Sequence, residues 1–351
     1  MKSLPLLIRK KSAILVLLSA ALLLLAGCGS SSSGNAPSDT TNTPNAGNAA
    51  DQPLQKVSLM LDWYPNAVHS FLYAAQANGY FKKQGLDVEI QMPADTNDAL
   101  KLVAAGKIDL ALSYQPQVLM ARGENIPVKS VGAIVRHPLN HLMVPADSGV
   151  HSPKDLSGKT VGFSSIPLYE AMARTMIKQD GGDPDSVKMV DVGYDLIPAI
   201  STGKTDAIIG GFINHEQLIL DKEGHAVQSL DPAKYGVPDY YELVLVASDD
   251  GLKAKKDVFA KFMAAAAEGQ QYVEQHGKEA LDALMAHEDQ NSPLDADIET
   301  KSLAILLPLM TDKDQPFGSQ DPASWTRVRT WLIDNKLLPE TVKAEDAYIN
   351  L

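Results

Sequence analysis

The sequence predicts an α/β protein built from two similar lobes, and three observations lead to this prediction. Strand-like and helix-like segments alternate from residue 56 to residue 211, which favours helices packed on mostly parallel sheets. The chain beyond its leader is long enough for about two domains. The stretch "LVAAGKIDLAL" (102–112) resembles "AISTGKTDAII" (199–209), and in both a glycine ends a helix before a short strand. Coincidence is an alternative, since this signal is common, but the echo favours two lobes that meet at a cleft.

The spacing of apolar residues predicts the individual elements. Short, nearly continuous apolar runs such as "IDLALS" are of strand length, whereas "PLYEAMARTMIKQDGG" has helical spacing and a glycine stop. The predicted strands cover 56–62, 85–93, 108–113, 128–135, 141–146, 158–164, 187–192 and 205–211. The predicted helices cover 68–81, 97–106, 167–182 and 197–203, and helix-forming sequence dominates from residue 253 to residue 337.

Residues 1–27 are predicted to be the signal peptide of a lipoprotein. A basic start precedes an apolar run at residues 13–26 that is too short for a comfortable membrane-spanning helix. The run ends in "LAGC", which resembles the bacterial lipobox, where the cysteine is acylated and becomes the mature N-terminus. The alternative is an ordinary cleavage site, but Cys28 is the single cysteine of the chain and otherwise lacks a role. Acyl chains on Cys28 would anchor the protein to the extracytoplasmic face of the cell membrane.

Residues 28–55 are predicted to be a flexible tether, because they are rich in Gly, Ser and Asn and have almost no apolar bulk. The signal peptide holds four of the 31 basic residues and none of the 43 acidic ones. The rest of the chain therefore has 27 basic and 43 acidic residues, and its formal charge is −16. This charge argues against nucleic-acid partners and against electrostatic attraction to anionic lipid. Beyond Cys28 no thiol remains for catalysis, a disulfide or a metal.

Three predicted strand ends carry aromatic and polar residues together. Ligands of open parallel sheets bind beyond the carboxyl ends of the strands, so these residues are candidates for a cleft. The three stretches are Asp62-Trp63-Tyr64-Pro65-Asn66, Ser113-Tyr114-Gln115-Pro116 and Phe212-Ile213-Asn214-His215-Glu216.

The same stretches resemble a known family. "LDWYPNAVHSFLYAAQANGYFKKQGLDVEI" (61–90), "LVAAGKIDLALSYQP" (102–116) and "DVGYDLIPAISTGKTDAIIGGFINHE" (191–216) look like substrate-binding proteins of ABC transporters in the NMT1/THI5-like (SsuA/THI5) family. The combination of Trp-Tyr-Pro-Asn with Asn-His-Glu is similar to the branch that binds thiamine pyrimidine precursors, of the formylaminopyrimidine or hydroxymethylpyrimidine type.

The resemblance implies a periplasmic-binding-protein fold of type II, in which two α/β lobes close on a ligand about a hinge. We expect the chain to cross between lobes near Pro145 and near Tyr241. The first lobe would comprise residues 56–145 and 243–351, and the second residues 146–242. The resemblance also implies capture of a small molecule by a monomer, delivery to a membrane permease driven by an ATPase, and no cofactor.

A flat aminopyrimidine would bind between aromatic faces, and each stacked base contributes about 1–3 kcal/mol in nucleic-acid binders. Trp63 from one lobe and Tyr194 or Phe212 from the other could sandwich the ring, or these aromatics could belong to the core. Glu216 could bind the amine and the neighbouring ring nitrogen if the pair shares one proton. Alternatively, Glu216 is a solvated acid in the first turn of a helix.

The remaining candidates have alternatives of the same kind. Asn66 could contact ligand or cap the next helix, and His69 could face the cleft or be structural. Tyr114 could close the pocket or donate to ligand. Ser164 and Ser165 could hold an anion at a helix N-terminus, which would matter for a phosphorylated or carboxylated ligand. The further candidates are Tyr64, Asn214 and, more weakly, His215.

Other function classes fit the sequence less well. Fungal relatives in the family synthesise the pyrimidine with a cysteine-rich segment and pyridoxal phosphate, and this chain has neither that segment nor a GxSxG, HExxH or phosphate-loop motif. A non-transporting receptor or adhesive lipoprotein would share the fold. A binder of riboflavin would need a longer cleft. A sulfonate binder would need cationic or amide donors, and Glu216 would repel the anion.

Replacement of Cys28 by serine should release the protein into the medium, because each buried acyl methylene contributes about 0.8 kcal/mol to anchoring. Fractionation of cells into membrane and medium measures this. A Ser30→Ala variant is the control and should stay on the membrane. Retention of the Cys28→Ser variant on the membrane would contradict lipidation.

Overall fold

The computed structural model describes residues 53–290, 292–312 and 314–351, and these form two five-stranded sheets flanked by helices. The predicted signal peptide, Cys28 and the predicted tether up to residue 52 lie outside the described residues. The tether was predicted to reach residue 55, but Gln55 already belongs to the first strand. Within the described ranges, no helix has both the length and the apolar character needed to cross a bilayer.

The first sheet is parallel except for one strand, β10, which runs antiparallel to both neighbours. Its strands in spatial order are β2 (Leu86–Gln91), β1 (Gln55–Met60), β3 (Leu110–Ser113), β10 (Leu243–Ser248) and β4 (Val128–Val135). The second sheet repeats this plan, with β5 as the antiparallel strand. Its order is β7 (Lys188–Asp191), β6 (Thr160–Phe163), β8 (Ala207–Phe212), β5 (Asn140–Pro145) and β9 (Val227–Leu230).

The internal echo of the sequence occupies equivalent places in the two sheets, because β3 and β8 are each the third strand. In the first copy, the Asp109 carboxylate accepts a hydrogen bond from the backbone N–H of Ser58 at 3.1 Å. In the second copy, the Asp206 carboxylate accepts one from the N–H of Thr160 at 2.8 Å. The repeated aspartate thus ties each third strand to the second strand of its sheet.

Eleven α-helices are formed by the described residues, and most lie where apolar spacing predicts them. Those before β10 are α1 (Ser70–Ala77), α2 (Tyr80–Lys83), α3 (Ala99–Ala104), α4 (Gln115–Gly123), α5 (Pro167–Gln179), α6 (Leu196–Ser201) and α7 (Glu216–Lys222). After β10 follow α8 (Asp249–Gln275), α9 (Gly277–Met285), α10 (Ala296–Met310) and α11 (Pro322–Asp334). The single helix predicted for residues 68–81 is divided, since Gly79 takes a left-handed conformation with φ 72° between α1 and α2.

The long helix α8 packs directly on α1, behind the first sheet. Gly269 makes this close approach possible, because a Cβ at this position would lie 2.2 Å from the carbonyl oxygen of Phe71. A C-terminal helix therefore supports the helix that follows the first candidate site stretch.

The chain crosses from the first sheet to the second before Asn140, not near Pro145. β5 ends at Pro145 but pairs with β8 and β9, so the crossing consists of residues 136–139, and the predicted boundary at residue 145 is wrong. The reason is that an apolar strand pattern does not reveal which sheet the strand joins. The return crossing runs through residues 231–242, between β9 and β10.

One fully buried carboxylate joins the two crossings. Glu242 Oε2 accepts hydrogen bonds from the backbone N–H groups of Leu139, at 2.6 Å, and Asn140, at 2.8 Å. The Tyr240 hydroxyl donates to the same oxygen at 3.0 Å. Burial raises the pKa of Glu242 to about 7, since the three donors offset only part of the desolvation.

Replacement of Glu242 by glutamine should remove part of the pH dependence of stability. Because the folded state raises the pKa from 4.5 to about 7, the contribution of Glu242 is complete below pH 4.5 and is lost as pH rises through 7. The shift corresponds to about 3 kcal/mol of unfolding free energy. Urea denaturation at pH 5 and pH 8 should show a loss in the wild type that is about 2 kcal/mol larger than in the variant. The exposed control Glu124→Gln should behave like the wild type, and an equal loss in Glu242→Gln would contradict the assignment.

Candidate functional site

A narrow cavity with a free volume of about 20 Å³ lies between the two sheets, at the carboxyl ends of their parallel strands. The first lobe contributes residues that follow β1 and β3, and the second contributes residues that follow β6, residues of α5 and β8, and the start of α7. The lining residues of the first lobe are Asp62, Trp63, Asn66, Val68 and Tyr114. Those of the second lobe are Ser164, Tyr169, Gly210, Phe212, His215 and Glu216.

Asp62 is the buried carboxylate of the first lobe, and it is held by two side chains. Its Oδ1 lies 2.9 Å from His69 Nε2, and its Oδ2 accepts a hydrogen bond from the Tyr114 hydroxyl at 3.0 Å. The backbone N–H of Asn66 donates to His69 Nδ1 at 3.2 Å. Since a backbone N–H can only donate, Nδ1 is the acceptor and the proton of the ring is on Nε2. His69 is therefore a neutral donor to Asp62.

The turn after Trp63 is fixed by Asn66. The Asn66 Oδ1 accepts from the N–H of Val68 at 3.1 Å and its Nδ2 donates to the Tyr64 carbonyl at 3.0 Å, so Asn66 caps the short 3₁₀ turn Ala67–His69. The N–H of Ala67, the residue that precedes Val68, donates to the buried Glu299 carboxylate of α10 at 2.7 Å. Asn66 thus performs the capping role and also borders the cavity.

Glu216 is the carboxylate of the second lobe, at the start of α7. Its Oε2 accepts from the N–H of Phe212 at 2.8 Å, and its Oε1 lies 2.9 Å from His215 Nδ1. Burial alone would raise the pKa of Glu216, but His215 and the Phe212 N–H outweigh burial and lower it. Burial alone would lower the pKa of His215, but the Glu216 carboxylate outweighs it and raises that pKa. The two side chains form a buried ion pair.

The wall of the cavity beside Phe212 requires glycine. Gly210 has φ 101°, a conformation that side chains with a Cβ rarely adopt. A Cβ there would lie 2.7 Å from Ser164 Oγ and 2.9 Å from the Tyr169 ring. The absence of a side chain lets Ser164 and Tyr169 form the wall.

Aromatic rings from both lobes meet at the mouth of the cavity. The ring centroids of Trp63 and Tyr194 are 4.5 Å apart, and those of Tyr64 and Tyr194 are 4.9 Å apart. A flat ring between Trp63 and Tyr194 would need roughly 7 Å, twice the carbon–carbon contact distance. These rings therefore contact one another directly. The Tyr194 hydroxyl donates to the Pro93 carbonyl of the first lobe at 2.9 Å and so holds the mouth closed.

The structure brings five of the nine predicted ligand-binding residues to the cavity and places four elsewhere. At the cavity are Trp63, Asn66, Tyr114, Phe212 and Glu216. Tyr64 and Tyr194 lie at the mouth, and His69 lies behind Asp62. Asn214 is buried and donates to Ser302 Oγ of α10 at 3.0 Å.

Four lining residues were not proposed as ligand contacts from the sequence: Asp62, Val68, Tyr169 and Gly210. Asp62 belongs to the first of the three strand-end stretches, but the sequence analysis assigned it no contact with the ligand. Tyr169 is one of several apolar-face residues of α5, and nothing in the sequence distinguishes it from a core residue. Ser164 was considered only for an anion, and Ser165 instead donates to the Asp191 carboxylate at 2.8 Å.

Comparison with known proteins places this site in a family. The family model described as NMT1/THI5 like matches residues 66–280, more than half of the chain. The formylaminopyrimidine-binding protein of Halalkalibacterium halodurans is 45% identical over 302 residues, which cover 86% of this chain and 92% of that protein. The chain belongs to the NMT1/THI5-like family.

The relatives of this chain include enzymes as well as binding proteins. The 4-amino-5-hydroxymethyl-2-methylpyrimidine phosphate synthase of Aspergillus parasiticus is 29% identical over 234 residues, 62% of this chain and 66% of that one. The solved alkanesulfonate-binding protein SsuA of Xanthomonas axonopodis pv. citri has a TM-score of 0.66 at 13% identity, and the match covers 86% of this chain and all of that one. The fold is the two-lobed periplasmic-binding-protein fold. The higher identity and coverage lie with a binding protein rather than with a synthase.

Proposed function

We propose that this chain is the substrate-binding component of an ABC importer, lipid-anchored at Cys28 on the extracytoplasmic face. In this proposal, it captures a thiamine pyrimidine precursor, of the formylaminopyrimidine or hydroxymethylpyrimidine type, and delivers it to a membrane permease driven by an ATPase. It works as a monomer and without a cofactor. The observation that carries the proposal is one interlobe cavity in which aromatic faces and a carboxylate from each lobe converge.

The lining chemistry fits a small, flat, nitrogen-rich ring. Trp63 and Phe212 from opposite lobes supply faces for stacking, a contact worth about 1–3 kcal/mol per base in nucleic-acid binders. Asp62 and Glu216 supply acceptors for amine and ring N–H groups. In this closed form the free volume of the cavity is about 20 Å³, well below the range of about 300–1,000 Å³ for small-molecule sites, so a ligand needs the lobes to move apart.

Capture requires motion of the lobes. The mouth of the cavity is closed, because the Trp63 ring contacts the Tyr194 ring and the Tyr194 hydroxyl donates a hydrogen bond to the Pro93 carbonyl. The lobes therefore separate to admit the ligand and close over it, and the crossings at residues 136–139 and 231–242 act as the hinge. The ligand is then enclosed until docking on the permease reopens the cleft.

The rival ligands fit the lining less well. No lysine or arginine is among the residues that line the cavity, so a sulfonate would find no cation there and would face two carboxylates. Riboflavin has a three-ring system and a ribityl chain, and would need a longer cleft than a single pyrimidine ring. Among the described residues, no group of three or more His, Cys, Asp or Glu side chains is arranged to hold a metal ion.

A thermal-shift panel tests the proposal directly. The purified protein is heated with 4-amino-5-hydroxymethyl-2-methylpyrimidine, formylaminopyrimidine, riboflavin or an alkanesulfonate. A ligand that binds the native state alone stabilises it by RT ln(1 + [L]/Kd), about 2.7 kcal/mol at 100 times Kd. We expect the melting temperature to rise with the pyrimidines. A shift with riboflavin or the sulfonate alone would overturn the proposal.

Replacement of Glu216 by glutamine should weaken pyrimidine binding tenfold or more, because a charge-assisted acceptor is lost and His215 loses its partner. Isothermal calorimetry measures the affinity. Glu223→Gln is the matched control, since Glu223 is exposed at the end of the same helix. Circular dichroism checks that both variants fold. Unchanged affinity in Glu216→Gln would remove Glu216 from the site.

A further inference from the structure

Asp62 is a buried carboxylate without a cationic partner in the cavity. Its side chain is 4% exposed, and its two oxygens are bound by His69 Nε2 and the Tyr114 hydroxyl. The Asn66 N–H on Nδ1 keeps His69 neutral, because a protonated ring would place two donors face to face. Both partners of Asp62 are therefore neutral, and neither compensates its charge.

The other charged groups of the cavity compensate one another. Glu216 and His215 form an ion pair, which is neutral as a unit. No lysine or arginine lines the cavity, so Asp62 leaves the lining with one negative charge. A buried charge without a counter-charge is costly, whereas a bound cation would remove the imbalance.

Further titratable groups surround Asp62, and none of them offsets its negative charge. Glu242, at the crossings, and Glu299, beneath the Ala67 turn, are buried acids, and burial raises the pKa of each. The three facing tyrosines are neutral, since burial raises their pKa values above the usual range. The groups that face Asp62 or its partner His69 are Tyr114, Tyr169, Tyr194, Glu242 and Glu299, with His215 and Glu216 across the cavity.

We propose that the cavity takes its ligand as a monocation, a flat heterocycle protonated on a ring nitrogen, with Asp62 as the counter-ion. This inference rests on the proposed function and specifies the ionic form of the ligand. An exocyclic amine beside a protonated ring nitrogen presents two parallel N–H donors, which match the free lone pairs of a carboxylate. Asp62 is thus a specificity-determining residue that selects basic rings over neutral or anionic ones.

The proton balance of binding follows. Above its own pKa the free pyrimidine is neutral, so each binding event takes one proton from the solvent onto the ring nitrogen, and no other bond forms or breaks. Proton uptake near one per ligand is expected at pH 7.5. The association constant should fall about tenfold for each unit of pH above the pKa of the ligand, since that pH change removes the cation from solution.

The test combines calorimetry with a spectroscopic assignment of the proton. Binding of 4-amino-5-hydroxymethyl-2-methylpyrimidine is measured at pH 7.5 in phosphate and in Tris, whose ionisation enthalpies differ, and the difference in apparent enthalpy gives the number of protons taken up. Nitrogen-15 NMR of the pyrimidine labelled at its ring nitrogens shows whether the bound ring carries that proton. This second readout distinguishes the ligand from Glu242, Glu299 or His215 as the proton acceptor.

The variant Asp62→Asn keeps the shape of the side chain and an acceptor for His69, and should bind the pyrimidine at least tenfold more weakly with proton uptake near zero. Asp87→Asn, which removes an exposed carboxylate from β2, is the matched control and should bind like the wild type. If Asp62→Asn does not fold, the wild-type proton count and NMR spectrum still decide the protonation state.

The outcomes distinguish a failure of this inference from a failure of the proposed function. A wild-type protein that binds the pyrimidine without proton uptake, or with an unprotonated ring, overturns the inference and leaves the proposed function standing. Undiminished proton uptake in Asp62→Asn overturns the role of Asp62. Absence of pyrimidine binding by the wild type overturns the proposed function and this inference together.

Discussion

The carboxylate of Glu242 joins the two crossings between the sheets, and the position of the cavity depends on this joint. It binds Leu139 and Asn140 at the end of the first crossing, and lies two residues beyond Tyr240 in the second. Because both crossings are held at one point, the carboxyl ends of β1 and β8 face each other across the cavity. In the proposed opening of the lobes, the crossings would rotate about this point and keep the register of the two site segments.

The strand-end rule found much of the site because it is a property of topology. Strands of a parallel sheet end at one edge, so Trp63, Asn66 and Tyr114 had to lie near one another once β1 and β3 were neighbours. The rule does not give the direction of a side chain one or two residues later. Asn214 follows β8 by two residues and points away from the cavity into α10, whereas Glu216 points into it.

Sheet membership was the part of the fold that local sequence could not provide. The residues of β5 form a good strand, but its partners, β8 and β9, lie about 65–90 residues further along the chain. Mutual pairing of apolar strands from distant parts of a chain is decided by the packing of the whole lobe. The echo was placed correctly because it compares local segments. The crossing near Pro145 was placed wrongly because it depends on pairing between distant segments.

Helix α10 connects the two halves of the site from behind. Its Glu299 binds the Ala67 N–H of the first lobe, and Ser302, one turn later, accepts from Asn214 of the second. Near the start of α10, Asp295 forms an ion pair with Lys222 of α7 at 2.6 Å. This pair is exposed, so it contributes little to stability. The C-terminal helices, the least distinctive part of the sequence, therefore hold both site turns.

The two carboxylates of the cavity, Glu216 and Asp62, differ in whether a positive charge lies beside them. This difference relates the charge of the ligand to closure of the lobes. Glu216 carries its own cation, His215, so its charge is compensated whether the lobes are apart or together. Asp62 has only neutral donors, and in the proposed open form water would solvate it. Closure removes that water, which costs free energy unless a positive charge replaces it. On the proposal above, a protonated ring supplies that charge, so the ligand that satisfies Asp62 is also the one that stabilises the closed form.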